Sequence, residues 1–192
     1  MRKKISAPMV VLETERLVLR PMTDADANTV VGWRNSEHVS SMSLQTATGE
    51  LSVDEHLAWF SSSRSDRVDY VLERKENQHP IGSISLTWRE FGDRVKTGEM
   101  GKYIGDRSAL GKGYASEATG RWLRYAFEEI GLERVVSRTR RTNEANIRIN
   151  QNLGFSIHQW PEEFGPASDE WIFMRLTRPE WLRSRMTVGS PE

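Results

Sequence analysis

The amino-acid sequence predicts one mixed α/β domain, an α+β arrangement on a single mixed sheet. Two observations predict it. Three consecutive strand patterns across residues 70–105 give way to alternating helix and strand patterns up to residue 174, the order of helices packed on a mixed sheet. The chain also has 192 residues with no internal repeat, long linker or change of composition, which suits one domain. The domain is expected over residues 8–178, with 179–192 as a short C-terminal tail.

Each element has a local reason. Val10-Val11-Leu12 and Leu17-Val18-Leu19-Arg20 make a β-rich start that Pro21 ends. Thr23-Asp24-Ala25-Asp26 opens a helix with a capping residue and early acids, and that helix runs to about Asn35. Ser52-Val53-Asp54-Glu55 fits a capping box; its helix carries Leu57, Trp59 and Phe60 and closes at Ser61-Ser62-Ser63. Tyr70 to Glu73 is a strand. Ile81 to Trp88 alternates as a strand with one buried face, and Glu99 to Gly105 is a third strand. From Ala115 to Ile130, Ala118, Trp122, Tyr125, Ala126 and Glu129 follow helical spacing, widened by Leu123 and Phe127, with Gly131 as the C-cap. Val135 to Thr139 is a strand, Asn143 to Leu153 a helix stopped by Gly154, and Ile157 and Trp171 to Met174 mark the last strands. In the tail, Trp181 and Leu182 are expected to dock and the last residues to fray.

Composition excludes several function classes. The hydrophobic fraction of 37% and charged fraction of 28% suit a folded core. Lys plus Arg and Asp plus Glu both total 27, so the net charge is zero and no nucleic-acid partner is expected. No cysteine is present, which excludes disulfides, thiolate catalysis and Cys-ligated zinc. His38, His56, His79 and His158 show no metal-binding helical spacing, so no metal is expected. The basic start Met1-Arg2-Lys3-Lys4 precedes an apolar stretch, Pro8 to Leu12, too short for a signal peptide core, and no apolar run is long enough to span a bilayer. A cytoplasmic protein without a membrane partner is expected.

The loop Leu110-Gly111-Lys112-Gly113-Tyr114-Ala115 lies between a strand and a helix start. A helix start carries unpaired N–H groups and a partial positive charge, and glycines allow an anion to approach the backbone, so such a loop cradles phosphate. It is not a P-loop, because Gly-Lys is followed by Gly113 rather than Ser or Thr. Nor is it a dinucleotide fingerprint, because Ser116 stands where the third glycine belongs, and three strands precede it.

Three segments together resemble the GNAT superfamily of N-acetyltransferases. Residues 110–115, followed by Ser116-Glu117-Ala118, resemble its acetyl-CoA signature, with Leu110 in place of Gln or Arg. Asn143-Glu144-Ala145-Asn146 with Leu153-Gly154-Phe155 is similar to its second signature. Leu12 to Pro21 resembles the opening strand of the branch containing the ribosomal-protein N-terminal acetyltransferases. The resemblance covers roughly Leu12 to Leu176 and implies the GNAT fold, with acetyl-CoA as cofactor. It implies that Lys102, Tyr103 and Ile104 provide backbone contacts polarising the thioester carbonyl, that Leu110, Gly111, Lys112, Gly113, Tyr114 and Ala115 hold the diphosphate, and that Asn143, Asn146 and Asn150 border the pantetheine arm. Lys112, Arg140 and Arg141 are candidates for pairing with phosphate, Lys112 foremost. Many members place a Tyr seven residues after the signature Asn; here that position is Asn150, which cannot act as an acid.

A narrower resemblance, to amino-sugar N-acetyltransferases, rests on Trp33-Arg34-Asn35, Val39, Met42, Glu55-His56-Leu57 and Phe60, and implies that Arg34 and Asn35 bind the acceptor. An amine attacks a thioester only when neutral. For a lysine-like amine of pKa ~10.4 that costs about 4.6 kcal/mol at pH 7, and for an amine near ~8 only about 1.4 kcal/mol. The demand on a base is therefore modest; Glu99, on the strand before the loop, and His56, on the helix beside the cleft, are the candidates. Three functions stay open: acetylation of a small-molecule amine such as a nucleotide-linked amino sugar, peptide N-terminal acetylation, and non-catalytic acyl-CoA binding. Trp160, Trp171 and Trp181 are equally accounted for by core packing or by a partner surface such as a homodimer's.

Overall fold

The computed structural model describes residues 9–43, 49–63 and 65–187; the basic start, Pro8 and the end of the tail lie outside the described residues. The elements are β1 (Leu12–Glu13), β2 (Leu17–Pro21), α1 (Ala27–Asn35), α2 (Glu37–Ser40), α3 (Val53–Ser63), β3 (Arg67–Arg74), β4 (Pro80–Arg89), β5 (Thr97–Ile104), α4 (Tyr114–Arg124), β6 (Arg134–Arg140), α5 (Glu144–Asn152), β7 (Ser156–His158), β8 (Trp171–Thr177) and α6 (Arg178–Thr187). Eight strands form one sheet in the order β1-β2-β3-β4-β5-β6-β8-β7, antiparallel except where β5 meets β6. This is the expected mixed fold.

Side chains alternate across a strand, so β3 divides the layers. Tyr70 and Leu72 join the main core with Leu17, Leu19, Ile84, Leu86, Trp122 and Phe127, beneath α4. Val71 points the other way and packs with Met22, Val30 and Phe60 beneath α1 and α3. Helices thus cover both faces. The strand expected to have one buried face, Ile81 to Trp88, is instead buried on both, from Ile81 to Thr87. Its outward alternates are Ser83, Ser85 and Thr87, which a solvated face and a polar cleft would equally favour; that is why the sequence misleads there.

The expected capping box forms: the Glu55 carboxylate accepts from Ser52 N (2.8 Å) and Ser52 Oγ (2.7 Å). The helix after the glycine loop ends in a wide turn, Tyr125–Glu129, in which Ile130 N–H reaches Tyr125 O at 2.9 Å. Up to residue 187 the tail is helical, and Trp181 docks as expected, buried against Phe127 with ring centres 5.2 Å apart; the last residues, expected to fray, lie outside the described residues. Trp160 and Trp171 are half-buried: Trp160 Nε1 donates to Gly165 O, and Arg140 covers Trp171. The three tryptophans therefore do not form an exposed partner surface. Leu182, expected to dock, is 42% exposed.

What positions the site is a split in the sheet. β5 and β6 pair only from Thr97↔Arg134 to Glu99↔Val136, although β5 continues to Ile104 and β6 to Arg140. β5 stays bonded to β4 and β6 to β8, so a gap opens between them.

Trp122 is fully buried and meets Tyr70 edge-on at 4.8 Å. Trp122→Ala is expected to destabilise the fold by about 3–5 kcal/mol, read as a lowered urea midpoint at unchanged m-value.

Candidate active site

The glycine loop presents an open helix start. Gly111 and Gly113 adopt φ +73° and +81°, the left-handed region where side chains are strained, and Gly113 is the N-cap of α4. The first intrahelical bond of α4 runs from Glu117 N to Gly113 O, so the N–H groups of Tyr114, Ala115 and Ser116 lie ahead of it. Arg16 ties the loop down: Nη1 donates to Lys112 O (2.9 Å), Nε to Glu117 Oε2 (2.6 Å), and the guanidinium covers the Tyr114 ring at 4.6 Å. Lys112 and Leu110 are exposed at the rim. Arg140 and Arg141 are turned elsewhere, to Glu170 Oε2 and Asp169 O.

From this loop a cleft of about 1430 Å³ runs through the sheet gap. On the face shared with α4 and α5 it is lined by Lys102, Ile104, Ala115, Thr139, Asn143 and Asn146. Asn143 caps α5, its side chain accepting from Asn146 N. Asn146 Nδ2 donates to Thr139 Oγ1 (2.9 Å), while Asn146 Oδ1 is buried with no partner among the described residues. An orphaned buried acceptor is costly; a ligand carrying amide N–H groups would satisfy it, and a pantetheine arm carries them. Asn150 is fully buried and accepts from Lys102 Nζ at 2.7 Å. Burial lowers the Lys102 amine to about 7.

On the opposite face, against α1 and α3, the cleft is cationic. Glu99 lies at the vertex of the split, its Oε1 accepting from Arg138 Nε of β6 (2.6 Å) and its Oε2 from Arg89 Nε of β4 (2.5 Å). Both oxygens of this expected base are thus committed to guanidiniums. Asp69 is likewise held by Arg67. Arg34 lies deep enough that burial lowers its guanidinium, and it faces the Trp59 ring at 5.5 Å. Asn35 clamps the chain before α3: Nδ2 donates to Leu51 O (2.8 Å) and Oδ1 accepts from Leu51 N (2.9 Å). Tyr103 stacks edge-on against Trp33, and burial raises its hydroxyl.

His56 is buried between these walls, its ring parallel to Phe60. Burial lowers its pKa below 6.5, the Arg34 charge adds to this, and Asp69 opposes it. Its Nδ1 has no partner among the described residues. A neutral imidazole in a cleft can accept a proton at pH 7.

The structure therefore brings together Lys102, Tyr103, Ile104, the glycine loop, Asn143 and Asn146 along the gap, and His56 with Arg34 beside it. Asn35 is engaged in the scaffold. The sequence reading missed Arg16, Arg67, Asp69, Arg89, Arg138 and the side chain of Lys102. One signal was available: Glu99 and Lys102 are three apart on a strand and so face opposite sides.

A family model described as an acetyltransferase (GNAT) domain matches residues 16–156. An uncharacterized protein of Methanocaldococcus jannaschii is 24% identical over 163 residues, 84% of this chain; the match spans only 31% of that relative's length. The uncharacterized N-acetyltransferase YoaA of Bacillus subtilis is 26% identical over 85% of this chain and 94% of its own. Among solved structures, Mycobacterium smegmatis RimJ in complex with CoA-disulfide superposes with a TM-score of 0.76 at 15% identity, covering 95% of this chain and 96% of its own. An apo structure titled FdhC, a nucleotide-linked sugar GNAT, superposes at 0.73 with 16% identity, covering 93% and 96%.

The His56 shift sets a direction for stability. Above 6.5 the imidazole is neutral in both the folded and the unfolded chain. Below 6.5 the unfolded chain takes up its proton first, so stability falls as pH drops. Relative to His56→Phe, the wild type is expected to lose stability as pH falls from 7 through 6.5, measured by urea unfolding across that range, with an NMR titration of the ring below 6.5.

Proposed function

The chain belongs to the GNAT acetyltransferase family, and from that premise we propose that it acetylates the primary amine of a small anionic molecule, a nucleotide-linked amino sugar being the class the cleft suits best. The observation that carries this reading is the charge of the acceptor side. Arg34, Arg67, Arg89 and Arg138 line the cleft against Glu50, Asp69 and Glu99, and the two buried carboxylates are already bonded to arginine. Surplus guanidinium charge in a partly desolvated wall favours phosphate or carboxylate on the acceptor and disfavours a polycation. The structural neighbour titled a nucleotide-linked sugar GNAT supports the same reading.

Acetyl-CoA, when bound, supplies the acetyl group as a thioester. The free N–H groups of Tyr114, Ala115 and Ser116, in the loop that Arg16 ties down, would hold its diphosphate, and Asn146 Oδ1 would accept from the arm. The backbone of Lys102 to Ile104, paired with β4 but left unpaired on the β6 side by the split, would orient the carbonyl. His56 receives the amine's proton; Glu99 keeps Arg89 and Arg138 in place.

Two measurements test this. Gly113→Asp places bulk and negative charge in the cradle, at some cost in backbone strain, so CoA affinity by calorimetry should fall about tenfold or more, with a cooperative urea transition showing that the variant is folded. In thiol-release assays, turnover is expected with an amino-sugar nucleotide and not with a polyamine, and Arg34→Gln should raise the acceptor KM about tenfold. Turnover confined to an Ala- or Ser-starting peptide would make the protein a peptide N-terminal acetyltransferase, and tight CoA binding without turnover on any amine would make it a binding module. Either result overturns the proposal.

A further inference from the structure

Asn150 occupies the position where many related enzymes carry a tyrosine, and an amide cannot act as an acid. Yet a proton donor stands at the same place. Lys102 projects from β5 onto the α5 face of the sheet, and its Nζ donates to Asn150 Oδ1 at 2.7 Å. Both residues lie beside the gap where β5 and β6 separate, and Lys102 lines the cleft. Resting on the acetyl-CoA reading above, we infer that Lys102 is a catalytic residue, the acid that protonates the sulfur leaving the thioester, and that Asn150 is the positioning residue that holds its ammonium.

The atoms balance with no further reactant. The carbon–nitrogen bond to the acceptor forms, the carbon–sulfur bond breaks and sulfur keeps its electron pair. Lys102 Nζ gives that sulfur a proton. The acceptor nitrogen loses one proton to His56, and from there, through water, it restores the Lys102 ammonium. Among the described residues no carboxylate is bonded to Nζ: Glu99 is held by Arg89 and Arg138, Asp69 by Arg67, and the groups packed from α5 and β8 are Asn150 and Met174, whose sulfur takes Asn150 Nδ2. Burial alone lowers the amine to about 7, so half the protein holds the proton near neutrality and parts with it readily. A lysine at its ordinary pKa of about 10.4 would hold its proton too tightly to be well matched to work at pH 7.

The test combines a titration with kinetics. The Lys102 side chain is followed by NMR in the free and CoA-bound protein, and kcat is measured at saturation from pH 5.5 to 9.5. The ammonium is the active form, so kcat is expected to fall as pH rises, with a midpoint that tracks the NMR value of the CoA-bound protein. Lys102→Met should retain CoA affinity by calorimetry, lower kcat about a hundredfold with KM for the acceptor little changed, and abolish that limb. Asn150→Ala should move the limb and the NMR midpoint together. If Lys102→Met does not fold, the wild-type coincidence of limb and NMR midpoint decides. A limb that persists in Lys102→Met, a Lys102-dependent kcat that rises with pH, or a wild-type limb away from the NMR midpoint overturns the assignment while leaving the acetyl-CoA reading intact. Absence of CoA binding to the wild type overturns both.

Discussion

The parting of β5 from β6 is the constraint on which the rest of this molecule depends. A parallel pair that stops after Glu99↔Val136 leaves backbone groups on two strands without their usual partners, inside a domain whose faces are otherwise covered. Such a gap persists only if both sides are held. Glu99 holds its vertex by joining β4, β5 and β6 through Arg89 and Arg138. Further out, α5 acts as a wedge: Asn150 takes the Lys102 ammonium from β5, and Asn146 donates to Thr139 of β6. Each flank of the opening is thus tied to the same helix, and the opening cannot close without breaking buried polar contacts worth more as satisfied groups than as orphans.

Passing through the sheet, the gap gives its two faces different chemistry. The α4 and α5 face carries the glycine cradle, amide side chains and one buried amine. The α1 and α3 face carries four arginines and a neutral histidine. Strand alternation produces this division: on β5, Glu99 and Tyr103 turn to the arginine side, while Met100 and Ile104 turn to the core side together with Lys102. The two faces communicate at the gap.

Much of this was legible in the sequence where the signal is local. The cradle is a contiguous string, and the capping boxes, helix stripes and turn glycines declare themselves within a few residues. The elements that carry the glycine loop, Asn143 and Asn146 were therefore readable. The remainder is set by contacts remote in the chain. Arg16 reaches a loop 96 residues away, Glu99 reaches Arg138 across 39, and Lys102 reaches Asn150 across 48. Polar alternates on β4 fit solvent and cleft equally, and only the covering helices decide between them. Asn35, selected for polarity beside Arg34, has its amide taken by Leu51, because a chain end near α3 needs an anchor as much as a ligand does.

The vertex also explains why the wall beneath α1 and α3 is cationic at all. A carboxylate bridges three strands at the point of the split, and burying such a group requires compensation by at least one guanidinium. Two are present, so the clamp itself leaves one unit of positive charge in the cleft. Arg34 adds to it from α1. Burial first, and the Arg34 charge second, disfavour protonation of His56 and keep the imidazole able to accept a proton. The closure of the vertex and the charge of the wall thus arise from one ion cluster, so replacing Glu99 by a neutral residue would change the shape of the gap and the charge of the wall together, and the two effects separate only when shape is monitored independently of turnover.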